Sequence, residues 1–375
     1  MPTRDMTVED TPIAYASTPL KRLGKTLRDG GPGFCQFAVN NACNAGCEFC
    51  GFNIDALPPS LWHFAPVDEA KRAIDVLVTN DVRYLVITGG EPMLHPHIYD
   101  ILAHAHWRGM VTLMVTNGSR LNESRIARLK ASGLHTLFIS IDAADASRHE
   151  ANRKLAGVCE RIKQANSHLK EAGIQSTASV TMSRLITDYA QLPDFLKGLG
   201  FESVTFSYPL TTLNSSFLGA ADSDLVSYSD QELLEAFEQV KACKRQMQVL
   251  NPTASIEEMQ RFIRGETQRF SCLGGYKYFY LDWDFYLWRC HYWEEPLCQV
   301  FDFNDAYRVR DGCTRCMIDC YRDASVMQHV AVSTADALDQ ARAGHWLQAS
   351  QALFNRDNAT SIRAASENLK WIARN

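Results

Sequence analysis

Three cysteines fall within eight residues, Cys43, Cys47 and Cys50, at the spacing Cys-x3-Cys-x2-Cys. Thiolates hold iron–sulfur clusters, and a four-iron cluster normally takes four of them. A loop that offers three leaves one iron an open position, and an open position can bind and polarise a ligand as catalytic metals do. Three buried or zinc-binding cysteines are the plainer alternative. A second group stands far downstream, where Cys272 and Cys290 flank an aromatic-rich segment and Cys313-x2-Cys316-x3-Cys320 follows. A tetrahedral zinc site is the alternative for that group. Twelve cysteines in a chain whose first residues show no secretory pattern point to metal ligands rather than disulfides. Cys35, Cys159, Cys243 and Cys298 follow no such spacing and are expected in the core or on the surface.

Between the two groups lie polar residues at positions that suit a ligand. Gly89-Gly90-Glu91-Pro92 joins two glycines, which permit close backbone approach, to a carboxylate fit for an ammonium group. Thr116-Asn117-Gly118 and Ser140-Ile141-Asp142 supply hydroxyl, amide and carboxylate groups able to hydrogen-bond a ribose or a charged chain.

The elements that carry these residues read as alternating strands and helices. Strands are expected at 34–39, 84–88, 111–116, 136–141, 176–182 and 203–207. Helices are expected at 67–78, 97–106 and 123–130, over 146–172 in at least its second half, and at 192–199 and 231–248. Val/Ile/Leu-rich strands alternating with helices predict a parallel sheet buried on both faces. Six such units fit an α/β fold of partial (β/α)6 TIM-barrel type, with functional loops at the carboxyl ends of the strands. Residues 211–229, rich in Ser, Asp and Gly, read as a surface excursion, and 272–290 as a hairpin turning near Asp282-Trp283-Asp284. The tail from 334 is helical, and its stripe Ile362, Ala365, Leu369, Ile372 is expected to pack on the barrel. The expected division is an extension over 1–33, the barrel over 34–229, a cysteine-rich unit over 230–330 and a helical tail over 331–375. Composition is ordinary for a globular protein, with 46% hydrophobic and 22% charged residues. A net charge of −5 gives no basic bias toward nucleic acid. No run of about 18 apolar residues predicts a membrane span, and the cytoplasm is the expected location.

Taken in series, these motifs resemble the radical SAM superfamily: the cysteine loop after the first strand, Gly-Gly-Glu-Pro after the second, Ser-x-Asp after the fourth, and His149-Glu150-x-x-Arg153. The resemblance implies a 4Fe–4S cluster on Cys43, Cys47 and Cys50 whose open iron is chelated by S-adenosylmethionine (SAM). It implies that Gly89, Gly90, Glu91 and Pro92 hold the SAM amino group, that Thr116, Asn117, Ser140 and Asp142 lie near its ribose and chain, and that Arg153 meets its carboxylate. Phe49 would lie against the adenine. Glu150 stands where the family pattern has Asp. The implied mechanism is one-electron, giving methionine and a 5′-deoxyadenosyl radical, and it needs a low-potential donor such as flavodoxin or ferredoxin.

The second cysteine group resembles the Twitch domain, the short relative of SPASM with one auxiliary 4Fe–4S cluster. The implied ligands are Cys272, Cys290, Cys313 and Cys316, with Cys320 able to replace one of the last pair. The family's usual glycine five residues before the second cysteine is Phe285 here. The layout, with Gly-Gly-Glu-Pro-Met-Leu-His at 89–95 and Cys-Thr-Arg-Cys-Met-Ile-Asp-Cys at 313–320, also resembles the radical SAM enzymes that attach an adenosyl group to hopene. The expected activity is hydrogen abstraction from, or radical addition to, a small non-peptide molecule. Tyr208, Tyr276, Tyr278, Arg289 and His291 are the candidate substrate-side groups. A peptide-modifying role is the alternative, disfavoured because about 33 residues before the first strand are too few for a peptide-recognition domain. A non-catalytic iron–sulfur scaffold or electron carrier is the alternative from another class.

Overall fold

A computed structural model describes residues 19–210, 213–219 and 223–369. Helix α1 (Pro19–Arg28) precedes strand β1 (Gly33–Ala38), and the long loop with the first cysteines leads to α2 (Val67–Thr79). The alternation then runs β2 (Val82–Thr88), α3 (Ile98–Trp107), β3 (Val111–Thr116), α4 (Glu123–Ala131) and β4 (Thr136–Ile141). It continues with α5 (Ala146–Arg153), α6 (Val158–Ala172), β5 (Gln175–Thr181), α7 (Leu192–Gly198) and β6 (Ser203–Ser207). After these come α8 (Asp230–Cys243), β7 (Gln248–Val249), α9 (Thr253–Ile263), β8 (Tyr278–Leu281), β9 (Tyr286–Trp288) and β10 (Cys298–Gln299). The described chain ends in α10 (Asp319–Arg342), α11 (Trp346–Leu353) and α12 (Arg356–Glu367).

Strands β1 to β7 are consecutive parallel neighbours, each joined by a helical crossover. The expected helix 146–172 is two helices, because Lys154 and Gly157 both take left-handed backbone (φ 52° and 72°). The helix expected to run to Gln248 stops at Cys243, which frees Gln248 and Val249 to pair with β6 as a seventh parallel strand. At the other edge β8 pairs parallel with β1, and β9 and β10 add antiparallel. One continuous ten-stranded sheet therefore spans both cysteine regions.

The two faces of that sheet differ. Side chains facing the helices, such as Phe37, Leu85, Met114, Ile139, Val180 and Phe206, have no exposure. Their alternates, such as Gln36, Val86, Val115, Phe138, Ser179 and Thr205, are only half-buried. Alternation of this kind puts one set on each face of a pleated sheet. The expected burial on both faces is thus corrected: the concave face lines an interior that is not filled by side chains.

The hairpin turns where expected, and Phe285 explains itself there. Its φ is 66°, the left-handed region where glycine is at ease. Phenylalanine accepts that strain and gains burial, packing its ring 6.2 Å from Phe37 and 5.5 Å from Phe301. The expected tail stripe does not pack on the barrel. Ile362 and Leu369 are 57% and 59% exposed, the buried positions are Asn358, Ser361, Ala364 and Asn368, and Ile372 lies outside the described residues. Small and amide side chains fit closely against α10, where Ser361 Oγ accepts from Val330 N–H at 3.0 Å. Among the described residues no helix is long and apolar enough to cross a membrane.

Asn251 ties the barrel's last full-length strand to α10. Its Oδ1 accepts from Phe206 N–H at 2.7 Å, and its Nδ2 donates to Phe206 O at 3.0 Å and to Asp323 Oδ2 at 2.8 Å. Asn251 has no exposure, so removing its amide strands buried backbone groups. Asn251→Ala is expected to cost about 2–4 kcal/mol in denaturant unfolding at matched iron content, and a loss below about 0.5 kcal/mol would refute the assignment.

Candidate functional site

The cysteine loop and the end of β2 are joined through the backbone. Gly90 N–H donates to Asn40 O at 3.1 Å, and Glu91 N–H to Ala42 O at 2.6 Å. A Cβ on Gly89 would meet Asn40 O at 2.2 Å and one on Gly90 would meet Ala42 O at 2.1 Å, both impossible. The paired glycines thus permit close approach, and what approaches is the cysteine loop itself. Pro92 starts the short 3-10 turn that follows, with Glu91 as its cap.

Glu91 is fully buried and gathers three donors. Its Oε1 accepts from Thr116 Oγ1 at 2.8 Å and Met93 N–H at 3.0 Å, and its Oε2 from Asn117 N–H at 2.7 Å. Burial pushes its pKa up against those bonds. A carboxylate offers about four lone-pair sites, so Oε2 retains one. Thr116 and Asn117, expected near a ribose, are instead engaged with Glu91 and the loop: Asn117 Nδ2 donates to Asn44 Oδ1 at 3.0 Å, and Asn44 Nδ2 to Ser119 Oγ at 3.0 Å. Asn44 and Ser119 were not singled out in the sequence, although Asn44 lies inside the cysteine motif.

Cys43, Cys47 and Cys50 pack in one cluster with Ala45, Phe49 and Phe52. Burial pushes the Cys43 thiol up to about 12 and raises Cys47 and Cys50 as well, so thiolates there require a cation beside them. Arg153 supplies part of that field. Burial opposes its charge, but Asp142, Cys47 and Cys43 hold it protonated. Its Nη2 donates to Asp142 Oδ1 at 2.6 Å, and Asn152 Nδ2 donates to Asp142 Oδ2 at 2.9 Å. Burial works to raise Asp142, yet Arg153 and His149 bring its pKa below the usual carboxylate value. Glu150 is not at this site: it accepts from Gly157 N–H at 2.7 Å and Cys159 N–H at 3.0 Å, capping α6, whose own N-cap is a glycine. Ser140 is half-buried on the concave face.

The segment expected as a surface excursion is partly a roof. Gly51 N–H donates to Leu218 O at 2.7 Å, against the first cysteine loop. Phe217 stacks on His291 with centroids 4.0 Å apart, next to Cys290. Residues 213–219 therefore bridge the two cysteine regions.

In the second group Cys272 N–H donates to Cys313 O at 2.8 Å, and Cys272 Sγ accepts from Gly274 N–H at 3.3 Å. Burial first, then the charges of Cys272 and Cys290, push Cys316 up to about 12, so those three sulfurs feel one another. Burial also raises Cys320, with Asp319 and Asp323 adding to it and a hydrogen bond with Gln36 opposing it. Cys320 packs in one cluster with Cys272, Cys290 and Cys316 around Tyr278 and Tyr321, beside Gln36. There Gln36 Nε2 donates to Tyr278 Oη at 3.1 Å and its Oε1 pairs with His291 Nε2 at 3.0 Å. Tyr278, His291 and Tyr208 are thus buried at the junction of the two regions. Tyr276 lines a shallow cleft with Asp81 and Arg310, and Arg289, beside Cys290 and Cys313, is held by Asp311 at 2.8 Å. Cys35, Cys159 and Cys243 are buried and Cys298 half-buried, as expected.

Buried atoms without partners test whether iron–sulfur clusters fit. Beside the first loop these are Arg153 Nε and His149 Nε2, and beside the second group Arg322 Nε and Nη1. Arg322 has no exposure, and its charge lowers the Cys272 and Cys316 thiols against burial. Unpaired buried donors next to thiols suit an anionic thiolate-ligated cluster at each place, three-thiolate at the first and four-thiolate at the second. Among the described residues no three His, Cys, Asp or Glu side chains converge as the ligands of one ion must. A four-iron cluster takes one thiolate per iron, so its ligands need no such convergence.

Residues 38–197 match the family described as Radical SAM superfamily. The AdoMet-dependent heme synthase of Nitratidesulfovibrio vulgaris is 32% identical over 163 residues, 43% of this chain and 44% of the relative. The GTP 3′,8-cyclase of Synechococcus elongatus is 28% identical over 171 residues, 44% of this chain and 50% of the relative. The alignments thus span about half the length of these curated relatives. Among solved structures, native anSMEcpe with bound AdoMet superposes with a TM-score of 0.54 at 12% identity, covering 88% of this chain and 99% of that one, a likeness of fold.

His149 gives the site a pH dependence. It has no exposure, its Nδ1 accepts from Asp142 N–H at 3.1 Å, and burial pushes its pKa from 6.5 to about 4. The unfolded chain takes up this proton near 6.5, while the folded chain stays neutral down to about 4. Stability is therefore complete above 6.5 and falls as pH drops through that window. The expected loss from His149 is up to about 3 kcal/mol between pH 7 and 4. Unfolding curves should show that slope and lose it in His149→Gln; an unchanged slope in the variant contradicts the assignment.

Proposed function

Since the chain is a radical SAM superfamily enzyme, we propose that it cleaves SAM reductively at a 4Fe–4S cluster on Cys43, Cys47 and Cys50 and uses the product radical on a small non-peptide substrate. One observation carries the reading: the three thiols, Glu91 and the Asp142–Arg153 pair meet at the carboxyl ends of β1 to β4, over an interior left open. When bound, the cluster supplies the electron that splits the sulfonium to methionine and a 5′-deoxyadenosyl radical.

The chain's own residues orient and enclose. The free lone pair of Glu91 receives the SAM ammonium, a charge-assisted bond in a dry setting. Arg153, with its Nε unpartnered and its Nη2 held by Asp142, would meet the carboxylate of SAM. Phe49 would lie against the adenine, and Ser140 would lie near the ribose. Thr116 and Asn117 act through Glu91 and Asn44. Leu218 and Phe217 exclude water above the loop.

Cys272, Cys290, Cys313 and Cys316 hold an auxiliary 4Fe–4S cluster, with Arg322 balancing its charge and Cys320, packed in the same side-chain cluster, able to replace one of the last pair. On this reading 34–229 is the SAM barrel and 230–330 the Twitch-like unit, although their strands share one sheet. A low-potential flavodoxin or ferredoxin serves as electron donor. Radical addition leaves an adenosyl adduct and oxidation removes two hydrogens, so product mass separates the two.

Anaerobically reconstituted, reduced protein given SAM should form 5′-deoxyadenosine, seen by mass spectrometry. Cys47→Ala should abolish it, and Cys272→Ala should lower the iron content by about four per chain. About eight irons per chain are expected, against about four plus zinc if the second group is a zinc site. Iron-replete wild type that never forms the nucleoside would sink the proposal.

A further inference from the structure

The charges around the open interior are unevenly placed. Across β1 to β6, the half-buried positions of the concave face include Gln36, Val86, Phe138, Ser140, Ser179 and Thr205, and none of that face is Lys, Arg or His. Residues 213–219, which bridge the two cysteine regions above it, contain no Lys, Arg or His either. Cations at the mouth are engaged: Arg153 with Asp142 at 2.6 Å, Lys154 with Asp55 at 2.6 Å, Arg184 with Glu232 at 2.8 Å and Arg289 with Asp311 at 2.8 Å. Arg120, whose Nε is buried and unpartnered, stands on the loop after β3 and not on an interior strand position. His291 is 2% exposed and enclosed by the rings of Phe217, Tyr280 and Tyr321. The acids at the mouth are Glu91 and Asp142, and Asp319 lies beside Cys320 and Tyr208 with its carboxyl pushed up to about 8 by burial.

Apart from the Arg153 Nε assigned above to SAM, a carboxylate or phosphate buried here would find no counter-charge among the described residues, and an unpaired buried ion is strongly disfavoured. The same face does offer neutral recognition. Ser140, Ser179 and Ser207 are half-buried on that face, as are Val86, Val115 and Phe138. Apolar lining with a few placed hydroxyls is the usual make-up of a site for an uncharged molecule.

We propose that the barrel interior receives an uncharged substrate moiety, an apolar skeleton bearing hydroxyl or amide groups, and excludes carboxylated and phosphorylated compounds. The substrate assignment rests on the radical SAM reading above, but the binding preference is independent of SAM cleavage.

The test uses the reconstituted, SAM-loaded protein and a matched pair of probes, 2-naphthalenemethanol and 2-naphthoate, in equilibrium dialysis. The alcohol should bind at least about tenfold more tightly than the acid. Filling the interior with Val86→Trp, or independently with Phe138→Trp, should remove the alcohol's binding. Ser179→Arg, which introduces a cation, should close the gap by strengthening naphthoate. The proposal is overturned if wild type binds naphthoate as tightly as the alcohol at a site that either tryptophan variant blocks. It is overturned equally if the alcohol does not bind, if both tryptophan variants leave its binding unchanged, or if Ser179→Arg leaves the gap as it was. Nucleoside formation scored in the same samples keeps failure of the radical reading distinct from failure of this one.

Discussion

Two backbone hydrogen bonds, from Gly90 and Glu91 to the carbonyls of Asn40 and Ala42, are the constraint on which the site depends. They fasten the end of β2 to the loop that leaves β1, and they exist only because residues 89 and 90 have no Cβ. Glu91 follows immediately and draws in the end of β3 through Thr116 and Asn117. The amide of Asn117 then returns to Asn44 between the first two cysteines. Three strand ends and the cysteine loop are closed into one ring of bonds. A fourth strand end joins through Asp142, whose partner Arg153 brings positive charge to the thiols. Most of these bonds are buried, where a lost partner costs most.

The sheet serves that ring. Its helix-facing side is packed shut and fixes where each strand ends. Its concave side is lined but not filled, which leaves room beneath the ring. By pairing β8 with β1, the chain carries the second cysteine group to the neighbouring edge of the same sheet. Gln36 on β1 then bonds directly to Tyr278 and His291 from that region. The two cysteine groups are therefore set relative to each other by strand register rather than by a flexible joint.

Much of this was legible in the residues. Six strands and their crossover helices follow from apolar runs and helical spacing, and the cysteine loop, Gly-Gly-Glu-Pro and Ser-x-Asp fall at strand ends as the alternation requires. What escaped has physical reasons. Thr116 and Asn117 carry the right chemistry for a ribose, but donors are shared by proximity, and Glu91 is the nearer acceptor. Arg322 stands in a helix like any charged residue, and only burial exposes its unpartnered nitrogens as significant. The open concave face was hidden because Val, Phe and Ser alternate there as they would in a filled core. The tail stripe misled because period alone does not say which face is covered, and α12 buries Ser361 and Ala364 instead.

The central claim is that SAM chelates the iron left open by Cys43, Cys47 and Cys50. Electron–nuclear double resonance on the reduced protein, with SAM carrying ¹⁵N at its amino group and ¹⁷O at its carboxylate, tests it most directly. Hyperfine coupling from both labels to the cluster is the predicted result. A full reduced-cluster signal that couples to neither would contradict the account.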